Sequence, residues 1–483
     1  MNESTTGEVR RLAIAGVGAL AVREVAIRLV QLGGIIVLAR LLIPHDFGAV
    51  AVGVSVVAFA TFLADAGLGA ALIRRPGAPT REQLEALLGL QLMVAVGLAT
   101  AIAAAGTGFG EVGRLTAVMA CSLPLLALRA PIVILLEREL DYRPLVLVEV
   151  VEVIVYYGWA VGTALVGWGV WSLATGAIVR SAVGSGLLLI LASRRLVRPR
   201  FSYAHVRGLI GFGARYQAVG LTNLLRDQGL NLGTAAIGGV VTLGVWNVAY
   251  RILQVPYFLF GSLWRVSYPA MSRLIVAGET PRPVIERGVA LASVATGALL
   301  APLVGSAPAL VPTLLGEKWQ AVVGILPWPC LGLMIGGPIS VATAGFLYAV
   351  DDAGSPLRAT VLHTIAWLTI TLPLLPVVGV RALGFGWLAS SVVDAVVLGR
   401  AASQRSGARL LPLLIVPTLL AAAAAGLGWE LAGSESPTLG LAVLGGGTAE
   451  AVYFAGLLVL RRRLFLDVCG LTGQALRASM ARA

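Results

Sequence analysis

Charge is what this sequence has least of. Asp, Glu, Lys and Arg together make up 12% of its 483 residues. Soluble domains carry about 25%, so a solvated globular surface is excluded. Lysine is nearly missing, with Lys318 as its one instance. The three cysteines, Cys121, Cys330 and Cys469, show no pair spacing. Two of them fall in apolar runs, so neither a disulfide nor a metal site is expected. The three histidines, His45, His205 and His363, are scattered, and no metal set forms. No Walker A sequence is present, which excludes ATP hydrolysis by that route. The alternating segments of about ten residues that a transmembrane barrel needs are absent. No cofactor is expected.

What fills the chain is apolar. Hydrophobic residues reach 58%, the mean hydropathy is +0.89, and runs of roughly 20 apolar residues recur, each long enough to cross a bilayer core. The chain reads as an all-α polytopic membrane protein. The polar start, MNESTTGEVRR, leads into an apolar segment that outruns a signal-peptide core and ends in no A-x-A site, so it is expected to be a retained first span. About fourteen spans are expected: 12–42, 47–73, 84–106, 114–136, 145–167, 170–192, 208–236, 241–264, 285–315, 321–350, 356–378, 382–402, 410–430 and 438–460. Turn-forming stretches separate them, among them "IPHDFG" at 43–48, "RRPGAPT" at 74–80, "GETPRP" at 278–283 and "DDAGSP" at 351–356.

The net charge of +12 would suggest nucleic acid in a soluble protein. Here its distribution argues otherwise. With the N-terminus in the cytoplasm, 24 of the 36 basic side chains fall in the tails and loops of the cytoplasmic side or at the span ends that adjoin them. Four (Arg40, Arg114, Lys318 and Arg381) fall on the opposite side, and the rest lie within spans. This is the positive-inside pattern. It puts both termini in the cytoplasm and leaves no nucleic-acid patch.

The basic connection "SRRLVRPRFSYAHVRG" at 193–208 divides the chain. The expected parts are a six-helix bundle over 1–192, a linker over 193–207, a second six-helix bundle over 208–404, two further spans over 405–461 and a basic tail over 462–483. "ARLLIPHDFGAVAVG" at 39–53 and "AAIGGVVTLGVWNVA" at 235–249 echo each other weakly. Internal repeats of this kind place a substrate site between transporter halves. The GxxxG pairs Gly158–Gly162, Gly229–Gly233 and Gly332–Gly336 are expected to mark close helix packing, and "GFGEVG" at 108–113 is a chance match to a nucleotide-binding pattern.

A charge at the bilayer centre costs at least about 2.5 kcal/mol, and several spans carry more than one. At about 100° per residue, Glu24, Arg28 and Gln31 share a stripe flanked by Arg23. Glu149, Glu152 and Tyr156 share another. Arg215, Thr222 and Arg226 line a third, with Asn223, Asp227 and Asn231 on the neighbouring arc. Asn247, Arg251, Gln254 and Arg265 line one face for about 27 Å at 1.5 Å per residue. Isolated Arg129, Arg180, Arg265 and Asp65 are expected to form helix-to-helix ion pairs or to snorkel. Clustered stripes face a bundle interior or a water-filled cavity. Arginine outnumbers acid there, stays protonated and pairs bidentately with phosphate. The expected substrate-binding residues are Arg23, Arg28, Gln31, Arg215, Arg226, Asn247, Arg251 and Gln254. The acids Glu24, Glu149, Glu152 and Asp227 are candidates for ion coupling or for pairing with arginine.

"LARLLIPHDFGAVAVGVSVVAFATFLADAGLGAALIRR" at 38–75 resembles the start of Wzx-type polysaccharide flippases, the polysaccharide-transport branch of the multidrug/oligosaccharidyl-lipid/polysaccharide exporter superfamily. "LERELDYRPLVLVEV" at 136–150 and "LGVWNVAYRILQVPYFLFGSLWRVSYPAMSRL" at 243–274 are similar to later segments of that branch. The resemblance implies two six-helix bundles around a central cavity plus two C-terminal helices. It implies movement of undecaprenyl-diphosphate-linked oligosaccharide across the bacterial plasma membrane, for surface or exopolysaccharide synthesis, by alternating access. The lipid tail would remain in the bilayer at a portal near spans 1 and 8. Implied partners are that glycan, membrane lipids, a polysaccharide polymerase and glycosyltransferases. A lipid II flippase of the same fold is the alternative. A drug or cation exporter fits less well, because it favours an acidic cavity. A membrane enzyme is not expected, since the outer connections are too short to hold a catalytic region.

Overall fold

The computed structural model describes residues 27–74, 77–202, 217, 220–434 and 436–466, except the side chains of 255, 257–259, 261–267 and 269–270. Arg23, Glu24, Arg215 and residues 467–483 of the basic tail lie outside the described residues, as does the side chain of Arg265. Every regular element among the described residues is helical, as hydrocarbon requires of an open chain, because a helix satisfies its own backbone donors and acceptors. Among the described residues, eleven helical stretches are long and apolar enough to cross a membrane. Two of them, Arg81–Arg138 and Gly220–Gln254, each contain residues from two expected spans. Breaks inside the helix separate those spans, at the 3-10 turn Thr107–Phe109 and at Gly239, whose φ of 84° and ψ of 163° are open to glycine alone.

The chain forms two compact units, Met1–Ala235 and Ala236–Ala483. In the first, helix α1 covers 27–41, and α2 (Pro44–Asp65) starts on a proline at its first position. The Asp46 carboxylate accepts the Ile43 N–H at 3.0 Å, closing the "IPHDFG" turn. Helix α2 ends where Ala66 and Gly67 take φ of 47° and 67°. Asp65 accepts the Gly67 N–H at 3.2 Å and the Gln91 amide at 3.2 Å. It also accepts from Gln217 at 3.5 Å, so these partners of Asp65 are neutral donors, not an arginine.

Helix α3 (Leu68–Arg74) follows. Its last carbonyls and that of Gly77 accept from the Arg138 guanidinium, at 2.8 Å for Leu72 and 2.7 Å for Gly77. Thr80 and Gln83 then exchange a reciprocal cap at the start of α4 (Arg81–Gly106). The unit continues through α5 (Gly110–Ala120), α6 (Ser122–Arg138), α7 (Arg143–Leu165) and α8 (Trp171–Leu191). Beyond α8 the linker backbone lies on α4. The Arg200 N–H donates to the Glu85 carbonyl at 3.0 Å, over Gly89, where any side chain would strike it.

A π turn at Leu225–Gly229 precedes α9 (Leu230–Val276), which runs into the second unit. That unit is organised on α10 (Arg282–Leu315). Against it pack α12 (Pro327–Ala349), α15 (Leu411–Ala432) and α16 (Leu439–Leu460). Between α10 and α12 lies the one-turn α11 (Gln320–Val323). The Tyr453 hydroxyl of α16 donates to the Val294 carbonyl at 3.1 Å. Helices α13 (Gly354–Val378) and α14 (Arg381–Ser406) pair with each other, and α14 also packs on α12. Of the GxxxG pairs, Gly332 and Gly336 do bring α12 against Leu388 and Ser391 of α14. A side chain at Gly158 or Gly162 would meet open space, so that pair marks no packing.

Candidate functional site

The π turn carries Arg226, Asp227 and Gln228. Such turns add a residue to a helix and are common at functional sites. Here the addition rotates everything after it by about one residue, 100°, so the arc drawn through Asp227 and Asn231 at uniform helical pitch does not hold. Arg226 donates to its neighbour Asp227 through Nε at 2.8 Å and a terminal nitrogen at 3.3 Å. Both side chains are half-buried. Asn231 turns instead to Ser55 of α2 and to Gln228, at 3.3 Å each, while the Ser55 hydroxyl donates to Gln228 at 2.8 Å.

In the second unit, Arg251 donates to Asn247 one turn earlier at 3.0 Å. Asn247, Arg251 and Gln254 are all half-buried on α9. Arg28 and Gln31 are likewise half-buried on α1. That helix lies against α7, with Gly34 leaving the space that the Tyr157 ring occupies.

Glu149 and Glu152 part company. Glu149 is exposed, whereas Glu152 is 5% exposed. The two oxygens of Glu152 reach two helices: one accepts from Arg129 of α6, the other from Arg180 of α8 at 3.3 Å. One acid thus joins three helices and leaves the cluster one positive charge in excess. The helix-to-helix ion pairs expected of Arg129 and Arg180, and the arginine pairing expected as the alternative to ion coupling for Glu152, thus meet at one carboxylate; that these three residues are each other's partners was not read from the sequence. Helical phase shows which face a residue occupies, and the contact depends on the rotation of the neighbouring helix.

The reading of the spans also passes over Glu450, near the middle of α16. One carboxylate oxygen of Glu450 is buried without a hydrogen-bond partner among the described residues. A lone acid in an apolar run was signal enough to find it. His363 was set aside as scattered, yet its Nδ1 lies 3.0 Å from Asp394.

These helical units, with arginine-bearing polar faces inside apolar spans, define a polytopic membrane transporter fold. The same fold is seen in the lipid II flippase MurJ in its inward closed conformation, at a TM-score of 0.71 and 10% identity, covering 92% of this chain and 99% of that one. An inward-facing multidrug resistance MATE family transporter of the MOP superfamily matches at a TM-score of 0.55 and 18% identity, over 79% and 94% of the two chains. The chain belongs to the polysaccharide biosynthesis protein family, whose model matches residues 37–324. Among its relatives, the lipopolysaccharide biosynthesis protein WzxC of Escherichia coli (strain K12) is 26% identical over 68% of this chain and 69% of WzxC. The succinoglycan biosynthesis transport protein ExoT of Rhizobium meliloti (strain 1021) is 27% identical over 62% of this chain and 60% of ExoT. The Wzx-type resemblance read from the motifs is therefore the relationship these comparisons return.

Proposed function

We propose that this chain flips an undecaprenyl-diphosphate-linked oligosaccharide from the cytoplasmic to the outer leaflet of a bacterial plasma membrane, by alternating access through an arginine-lined passage. The observation that carries the reading is arginine inside a helical stretch long and apolar enough to cross a membrane, Gly220–Gln254: Arg226 in a π turn and Arg251 a turn after Asn247, both half-buried, in a chain of a polysaccharide biosynthesis family. A diphosphate entering such a passage sheds water, and guanidinium forks replace part of its hydration. Gln31, Asn247 and Gln254 supply neutral hydrogen bonds suited to hydroxylated sugars. Arg23, Arg28 and Arg215 complete the proposed set. The proposal includes fourteen spans in a six, six and two arrangement, both termini in the cytoplasm, and handover to a polymerase after glycosyltransferases have built the glycan. Family membership supports this substrate over lipid II.

The test is flipping of labelled lipid-linked oligosaccharide at matched protein levels. Replacing Arg226 or Arg251 by Ala is expected to slow it about ten-fold or more, because hydrogen bonds to charged groups are worth about 1.5–3 kcal/mol. Lys keeps the charge without the fork and should cost less. Normal flipping by Ala variants at all the described arginines of the set would overturn the reading.

A further inference from the structure

The apolar run of α16 gives way to "RRRLFL" at 461–466. At a membrane boundary such a segment has two needs: guanidinium groups seek water and phosphate, and apolar side chains seek cover. The fold meets them on separate sides. Arg461 leaves helical geometry, at φ −140° and ψ 46°, while its N–H still donates to the Leu457 carbonyl. Residues 462–466 then form one helical turn, in which the Phe465 N–H donates to the Arg461 carbonyl at 3.0 Å. The Phe465 ring lies against Phe454 of α16, ring centres 5.8 Å apart. Phe454 is six residues before Leu460, about 9 Å back along the axis at 1.5 Å per residue. The turn is therefore folded back along the helix it follows. Leu464 and Phe465 are half-buried, whereas Arg462 and Arg463 are exposed.

Arg461 fixes the base of this elbow. Its guanidinium donates to the Pro412 carbonyl, in the first turn of α15, at 2.9 Å. One arginine thus ties the end of one span to the start of another. Three residues before Pro412, Arg409 is exposed, and its backbone N–H donates to Glu286 at 2.9 Å. Glu286 also accepts from Arg282 at 2.9 Å, so the acid at this end of α10 is already engaged twice. Neither Arg462 nor Arg463 makes an ion pair among the described residues, and Asp467 lies outside them. Glu450 of α16 is ten residues before Leu460, about 15 Å away along the axis.

A cation at a helix C-terminus gains from the helix dipole, and Arg461 fills that role. Two further arginines, turned outward by an apolar anchor, fit a different partner. Guanidinium forks take phosphate oxygens two at a time. Anionic lipid surfaces attract basic side chains close to a span, by about five-fold in affinity for each arginine. An elbow whose apolar side is buried holds such forks at headgroup depth, as an interfacial helix does.

We propose that Arg462 and Arg463, set in place by Arg461 and Phe465, bind the phosphate of an anionic phospholipid such as phosphatidylglycerol. The occupant is a lipid because hydrocarbon lies beside the forks: Leu466, 53% exposed, continues the apolar side of the turn and meets the acyl chains of the same molecule. Only the membrane crossing of α15 and α16 is required, whichever substrate is carried. In the topology proposed above, this end lies at the cytoplasmic leaflet, whose surface is negatively charged.

The test is lipid binding to the full-length protein, delipidated in a neutral detergent and followed by native mass spectrometry. Phosphatidylglycerol is expected to bind several-fold more tightly than phosphatidylcholine with the same acyl chains. Arg462→Gln together with Arg463→Gln should weaken phosphatidylglycerol about 25-fold, the product of two five-fold losses. Arg194→Gln with Arg198→Gln removes the same charge from an exposed stretch of the first unit and should leave the affinity close to that of wild type. Phe465→Ala keeps every charge but frees the turn, so affinity should still fall several-fold. Equal affinity for the two lipids overturns the proposal, as does an equal loss in the Arg194 and Arg198 control. Wild-type affinity in the Arg462 and Arg463 double variant, or in Phe465→Ala, also overturns it. Full competition by sn-glycerol 3-phosphate at a concentration equal to that of the lipid would make the occupant a soluble phosphate and overturn it too.

Discussion

Gly184 of α8 provides the space that the Glu152 carboxylate of α7 occupies: a methyl group at position 184 would overlap Oε1. The close approach of the two helices and the ion pairs of Glu152 with Arg129 and Arg180 therefore depend on each other. Gly184→Ala is expected to lower stability by about 1–3 kcal/mol, the usual cost of overpacking, read as a fall in thermal midpoint in detergent. Gly186, where a methyl would meet open space, serves as the control. Equal effects at both positions would count against the contact.

Removing the acid should cost more than removing either base. Glu152→Gln leaves two guanidinium groups facing each other, toward the low end of the ~3–5 kcal/mol for breaking a buried pair, since the arginines keep some solvent. Arg129, with a side chain 26% exposed, should matter more than Arg180 at 46%. Solvent screening limits the Arg180 pair to about 1 kcal/mol or less. Chemical denaturation of the three single variants gives the order. Combining Glu152→Gln with Arg129→Gln should recover part of the loss.

Glu450→Gln is expected to stabilise the protein. Its buried carboxylate oxygen has no hydrogen-bond partner among the described residues, and removing a carboxylate removes the penalty of burying a charge. The thermal midpoint should rise with flipping unchanged. A lower midpoint would show that Glu450 is engaged in the folded protein.

Asp352 lies in the connection between α12 and α13, outside the spans. The Ser355 hydroxyl, at 2.6 Å, holds its carboxyl below the ordinary value of 3.8, with the Ser355 N–H and Arg405 adding to the effect against partial burial. A carboxyl depressed by folding stabilises the protein fully above its unfolded value and loses that contribution as pH falls through the folded one. Asp352→Ala should therefore cost about 1 kcal/mol near neutrality, the size of a lost helix cap. Its unfolding free energy should converge with that of wild type as pH drops below about 4. A difference that did not shrink as pH fell below 3.8 would locate the effect elsewhere.

The helical class and most helix ends were legible in the sequence, because they depend on local properties. An apolar run must hydrogen-bond to itself in lipid. Pro44 and Thr80, in the expected turns at 43–48 and 74–80, act within a turn of their own positions; the Ala66–Gly67 break, inside the expected span 47–73, was not read. Phase along one helix was legible too, as the Arg251–Asn247 bond shows. The phase argument failed at the π turn, where a local change of pitch leaves no reliable trace in residue type. It also missed Asp65, whose neutral partners come from two other segments.

By itself, then, the sequence determined that this chain is helical, apolar and many times membrane-crossing, and that its internal charges are mainly arginine. Hydropathy and charge are properties of each residue in order along the chain. Only the tertiary structure decided which charges meet: Glu152 with bases 23 and 28 residues away, and His363 with Asp394, 31 residues on. Those meetings depend on how each helix is rotated about its axis. Small side chains and close contacts between helices set that rotation, as at Gly184, where the absence of one methyl group admits a carboxylate.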